Sequence, residues 1–181
     1  MITVEITDQE TRKAFSNLIA SAENPKQLMA QIGELLIDST KQRFATSTAP
    51  DGSRWAENSE VTLLGYLDKY KGSFRKKDGG LTQKGARRLG GKKPLIGESG
   101  SLSTTIAYKI EGLGTIIVGS PEEYAAAQQF GMKKGYAGAT KKGSPIPWGD
   151  IPAREFLGLS DQDNVMILEL SSDFLGQAFR P

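Results

Sequence analysis

Apolar and polar positions alternate from the start of the chain, with Ile2, Val4 and Ile6 set between Thr3, Glu5 and Thr7. A period of two predicts a half-buried strand. Asp8 then stands as the cap of a helix in which Phe15, Leu18, Ile19 and Ala22 share one face. Asn24-Pro25 reads as a break and an immediate restart, N-cap followed by first helical position. Leu28, Ile32, Leu35, Leu36, Ser39 and Phe44 carry an apolar stripe onward for about five turns. This second helix is predicted as the main wall of the core. It ends in the turn formers Thr46 to Ser53, and Trp55 follows them. A Trp beside a Pro-Asp-Gly turn is expected to pack as a lid on the core; stacking on a ligand or partner is the lesser alternative.

Beyond a short helix over Val61 to Tyr70, apolar content falls away. Lys71 to Lys93 is rich in Gly and Lys, and the pairs Gly79-Gly80 and Gly90-Gly91 argue for a mobile loop without a helix. Leu102 to Ile110 alternates as one strand, Glu111 to Gly114 is a hairpin connection, and Thr115 to Gly119 is the partner strand. Ser120 as cap and Pro121 at the first position predict a further helix, closed by Gly131. Residues 133–144 read as a second flexible loop, ahead of an extended approach through Pro145, Pro147 and Trp148. Ile151 to Ser160 joins that extended segment to a last helix. Pro152 favours an extended Ile151, Gly158 permits a change of direction, and Ser160 with Asp163 has the form of a capping box. Val165, Leu168, Leu175 and Phe179 give that helix its apolar positions.

At 181 residues the pattern suits a single domain over 1–181, with a flexible basic insertion at 69–93. The predicted class is α+β: a small, mostly antiparallel sheet packed against the long second helix and the C-terminal helix. The strands would come from the N-terminal alternation, the hairpin and the extended segment before Arg154. No window approaches the roughly 18 apolar residues of a membrane span, and the first residues lack the basic and apolar blocks of a leader. The expectation is a soluble protein, intracellular when made.

Charge changes the picture. The net +2 conceals a window from Asp68 to Pro94 that carries +8, leaving −6 elsewhere. Lys76, Lys77, Arg87, Arg88, Lys92 and Lys93 within it are candidate contacts for DNA or for an acidic partner. Nearby aromatic residues are few, Tyr70 and Phe74, which disfavours base stacking.

The chain has no Cys and no His. Disulfides, thiolate nucleophiles, Cys/His zinc sites and Ser-His-Asp triads are thereby excluded, while carboxylate chemistry stays open. Glu122-Glu123 and Asp161 with Asp163 sit at predicted helix starts, where acidic residues complement the backbone dipole. Asp150, Asp161 and Asp163 lack the alternation of a calcium loop, and no phosphate-binding glycine spacing is present. No catalytic residues, metal ligands or cofactor follow, and the expectation is a protein that is not an enzyme. Arg154 stands apart, a lone cation among Ala153, Phe156 and Leu157. It calls for a carboxylate or carbonyl partner, as a structural pin ahead of a subunit contact.

Taken in order, Arg43-Phe44, Pro50-Asp51-Gly52 with Trp55, Thr62, Leu95-Ile96, Ser99 to Leu102, Val118-Gly119, Tyr124-Ala125, Gln129-Phe130-Gly131 and Ile151 to Ser160 resemble the phage virion morphogenesis family. That family includes tail completion proteins of contractile-tailed phages and Mu-like prophage proteins. Gln128 stands where members often carry His. The resemblance implies a structural assembly protein for tail completion and head–tail joining, made in the bacterial cytoplasm and then part of the virion. It implies a ring-like homo-oligomer meeting other head or tail proteins and possible contact with packaged DNA, with no membrane or small-molecule partner. Trp55, Tyr124, Gln129, Phe130, Arg154 and Phe156 are the structural or interface candidates. A basic nucleic-acid-binding module using residues 69–93 is the alternative.

Overall fold

The computed structural model describes residues 9–70, 72–97 and 100–177. The alternating segment at residues 2–6, the Asp8 cap and Phe179 lie outside them. In order, the elements are α1 (Gln9–Glu23), α2 (Lys26–Thr46), α3 (Glu60–Asp68), α4 (Gln83–Gly90), α5 (Ser101–Thr104), β1 (Ala107–Glu111), β2 (Thr115–Gly119), α6 (Ala125–Phe130) and α7 (Asp161–Gln177). The class is α+β, with one two-stranded antiparallel sheet among the described residues. Cα packing divides the chain into two units. One comprises the residues up to Thr40, Ile106–Gly119 and those from Gly158 on; the other comprises Lys41–Thr105 and Ser120–Leu157.

In the first unit, β1 and β2 pair from Ala107 opposite Gly119 to Glu111 opposite Thr115. The hairpin connection is as expected, and the inward residues Tyr108, Ile110, Ile116 and Val118 follow the period of two. A hairpin of this size is marginal by itself. It gains support at Gly33 of α2, where an added Cβ would fall 2.5 Å from the Tyr108 ring, so the ring lies directly against the helix. Leu28, Ile32 and Ile37 of α2 are buried. Helix α7 starts as its sequence promised: Ser160 N–H donates to Asp163 Oδ2 at 2.8 Å, and Asp163 N–H donates to Ser160 Oγ at 3.1 Å. The apolar stripes of α1 and α7 depart from expectation. The two helices touch, yet Phe15 is 52% exposed, Ile19 58%, Val165 54% and Leu168 70%.

In the second unit, the core gathers Phe44, Trp55, Leu67, Phe74, Leu102 and Phe156, all at most 5% exposed. Three expectations are corrected here. The stretch from Leu102 is not strand throughout: α5 occupies Ser101–Thr104 before β1 begins at Ala107. Gly100 takes φ 65°, and the hydroxyls of Ser103, Thr104 and Thr105 donate back to the carbonyls of Gly100 or Ser101, which closes a helical turn. The helix expected at Pro121 starts at Ala125, because Ser120 Oγ accepts from Glu122 N–H and makes a turn first. The glycine-rich basic stretch contains α4. Thr82 caps it, accepting from Gly85 N–H at 3.1 Å while donating to Ser73 O at 2.8 Å. Gly85 permits the docking rather than opposing the helix: a Cβ there would lie 2.2 Å from Phe74 O. Residues 133–144 form hydrogen-bonded turns, with Ala137 N–H donating to Ile146 O at 2.8 Å and Thr140 N–H to Ser144 O at 2.8 Å.

Replacing Ser160 with Ala removes one half of the reciprocal cap. The expected loss is about 1 kcal/mol of unfolding free energy, read by urea denaturation; a change within error would show that α7 does not depend on its cap.

Candidate functional site: a segment clamped by Arg154 and Gln129

The extended segment before Arg154, expected as a strand, joins no sheet among the described residues. Its only ladder-like contact among the described residues is the bridge between Ile151 and Met132, with N–H to O distances of 2.7 and 2.9 Å. Pro152 lacks an N–H, so a continuous ladder is interrupted there in any case. Apart from Arg154 N–H, which bonds to Gln128 O, side chains meet the backbone groups of Phe156 and Leu157 and the carbonyl of Glu155. Gln129 Oε1 accepts from Phe156 N–H and Leu157 N–H, both at 3.0 Å, and Gln129 Nε2 donates to Leu157 O at 2.9 Å. One amide thus stands in for a neighbouring strand. It reaches the segment from α6, where Gln129 is buried on the same side as Ala125 four residues earlier.

Arg154 is 7% exposed. Its Nε donates to Ala56 O at 2.7 Å, Nη2 to Glu57 O at 2.8 Å and Nη1 to Gln128 Oε1 at 3.4 Å; its own N–H donates to Gln128 O at 2.8 Å. The planar guanidinium therefore ties the stretch after Trp55 to α6 through carbonyl oxygens. Burial pushes its pKa down from the ordinary guanidinium value. Trp55 Nε1 donates to Glu155 O at 2.9 Å, and Arg43 Nη1 to Phe156 O at 3.0 Å. The Phe44 ring lies 5.3 Å from that of Trp55 at 76° and 5.4 Å from that of Phe156 at 47°, close to the edge-on arrangements aromatic pairs prefer. Trp55 is the lid its sequence context indicated.

Arg154 and Gln128 also line a groove of about 510 Å³ with Leu95, Ile96, Tyr124 and Pro152. Tyr124, 45% exposed, has its pKa raised, first by desolvation and then by the charge of Glu122. Trp55, Gln129, Arg154 and Phe156 meet in one network; Phe130 does not, being 78% exposed. Arg43, one half of the Arg43-Phe44 pair, belongs to the network as well. Its signal was position: Leu36, Thr40, Arg43 and Phe44 fall on one helical stripe, and Thr40, Arg43 and Phe44 are buried.

The basic candidates separate into two groups. Arg88 lies over Tyr70, 3.6 Å from the ring centroid, with its Nε buried and without a hydrogen-bond partner. Lys92 Nζ donates to Ile96 O and Lys93 Nζ to Ala45 O. These three cations make contacts within the fold, Lys93 while itself exposed; Lys76, Lys77 and Arg87 are exposed as well.

The phage virion morphogenesis family model matches residues 6–176, nearly the whole chain. The protein belongs to that family, and its role lies in phage virion assembly. No curated protein and no solved structure gave a significant match. Among the described residues no helix is long and apolar enough to cross a membrane.

Arg154→Ala leaves the carbonyls of Ala56 and Glu57 without their donors. The expected cost is about 2–3 kcal/mol, and Arg154→Lys should recover only part of it because an ammonium lacks the planar fork. Equal stability of all three proteins in denaturant melts would remove the pin from this account. A second expectation concerns Asp150, which accepts from Lys134 N–H and Lys133 Nζ, both at 2.9 Å. The Lys134 backbone bond first, and the Lys133 contact next, hold its carboxyl below the ordinary 3.8. With a lowered folded pKa, this tie is complete above the unfolded value and fades as pH falls through the folded one. The Lys134 amide resonance should titrate with its midpoint below the ordinary 3.8; a shift centred at higher pH would contradict this.

Proposed function

We propose that this protein acts in tail completion and head–tail joining, as a structural, ring-forming component that meets other head or tail proteins. One observation carries the reading: Tyr136 and Trp148 are 79% and 75% exposed on a hydrogen-bonded turn region. Gly135 N–H donates to Pro147 O at 3.0 Å and Ile146 N–H to Gly138 O at 2.8 Å, so the backbone carrying these rings is already ordered. Ordered, exposed Tyr and Trp are the residue types that anchor protein interfaces at low entropic cost. The family membership supports the setting, and heterologous contacts that close produce rings. The exposed apolar residues of α1 and α7 offer further surface for burial in an assembly.

A phage genome deleted for this gene should accumulate separate heads and tails in electron micrographs, and the wild-type gene supplied in trans should restore joined particles. A Tyr136→Ala/Trp148→Ala double variant should keep its melting temperature and fail to restore them. Normal virions from the deletion would overturn the assignment, and full complementation by the double variant would overturn the role of the two rings.

A further inference from the structure

Residues 60–90 form a folded basic module instead of a bare loop. Helices α3 and α4 pack together, and an antiparallel bridge between Arg75 and Leu81 closes the turn that carries Lys76 and Lys77. Lys84 and Arg87 are exposed three residues apart on α4, a spacing that places them on one helical face. Of the module's acidic residues, Glu60 stands in the first turn of α3, and Asp68 and Asp78 are held locally. Asp68 pairs with Arg75 Nη2 at 2.9 Å, and Asp78 Oδ1 accepts from Gly80 N–H at 2.9 Å within the turn.

The aromatic residues of the module already have cations over them. Arg88 lies 3.6 Å from the Tyr70 centroid, Lys92 lies 4.8 Å from that of Tyr66, and Lys84 lies 5.5 Å from that of Phe74. Phe74 is buried. Binding of single strands relies on aromatic faces on which bases can stack, and here those faces are committed to side chains of the same module. Protein interfaces are depleted in Lys and depend on buried apolar or aromatic anchors. The exposed positions at the turn and on α4 include Lys76, Lys77, Lys84 and Arg87, and the others there are Arg75, Asp78, Gln83, Ala86 and glycines, with no large apolar or aromatic side chain among them.

We infer that the module formed by α3, the Lys76-Lys77 turn and α4 binds the phosphate backbone of double-stranded DNA without regard to sequence. Lys76, Lys77 and Arg87 are the principal contacts, with Lys84 beside them. The chemistry is counterion release from the duplex. This function is independent of head–tail joining, which is read genetically, so failure of either leaves the other standing.

The test uses the full chain and a labelled short duplex of arbitrary sequence, followed by fluorescence anisotropy between about 50 and 200 mM salt. The expected plot of log K against log salt has a slope of about −3, unchanged when the duplex sequence is shuffled. A Lys76→Gln/Lys77→Gln/Arg87→Gln variant should lose about tenfold or more in affinity and most of that slope, with an unchanged melting temperature. If that variant melts early, Lys76→Gln/Lys77→Gln, confined to the turn, should still lower the slope by about 2. No duplex binding, a flat salt response or variants that bind as well as wild type would overturn the inference. So would preference for a single strand of equal length, or binding of poly-L-glutamate as tight as duplex at equal charge, the latter pointing to an acidic protein instead.

Discussion

The second unit depends on a requirement of the backbone: the extended stretch around Arg154 to Leu157 must satisfy its polar groups without a strand beside it. A buried peptide group without a partner costs on the order of 1–3 kcal/mol, so the solution has to come from side chains. Gln129 supplies an acceptor to two successive N–H groups and a donor to one carbonyl. Arg43 and Trp55 each donate to a carbonyl of the same stretch. Arg154 works in the opposite direction, sending its donors out to Ala56 and Glu57. Four side chains from separate parts of the sequence thus hold a segment that a sheet would hold with backbone alone. The aromatic contacts of Phe44 with Trp55 and Phe156 keep water away from this network, which is where hydrogen bonds count most.

A second constraint shapes the basic module. Side chains carrying like charge disfavour close packing, and the chain meets this by laying cations on aromatic rings and on carbonyl oxygens. Arg88 on Tyr70 and the lysine contacts to Ile96 O and Ala45 O absorb charge into the fold. The cations left exposed stand on a turn and a helix whose backbone is defined by the Thr82 cap and the close approach at Gly85. Charge on an ordered backbone loses less entropy on binding than charge on a free chain. This physical difference separates a folded polyanion surface from a solvated loop.

Local rules were reliable wherever neighbours in sequence settle the matter. The Ser160–Asp163 cap, the 107–119 hairpin and the stripe of α2 were legible because each depends on spacings of a few residues. The clamp was legible only in part. A lone Arg between apolar residues announced Arg154 as a pin, and family resemblance marked Gln129, but neither indicated which backbone groups they would reach. Arg43 looked like one more charge in a helix. The C-terminal helix was expected to pack on the sheet, yet Val165 and Leu168 of α7 stay largely in solvent, as do Phe15 and Ile19 on the shared face of α1; periodicity tells which residues share a face and never what lies opposite.

The sequence by itself determined the start of α7, the hairpin within 107–119, the concentration of charge between Asp68 and Pro94 and the membership in a virion morphogenesis family. Tertiary structure alone decided that the Ile151 to Ser160 stretch is clamped by side chains instead of paired in a sheet. It likewise decided that Gly85 favours a helix and that half of the basic candidates are bound within the fold. The physical reason is the same in each case. Spacing along a chain fixes local geometry, whereas the partner of a carbonyl, the atom that would meet a missing Cβ and the ring beneath a guanidinium come from residues as far as about a hundred positions away.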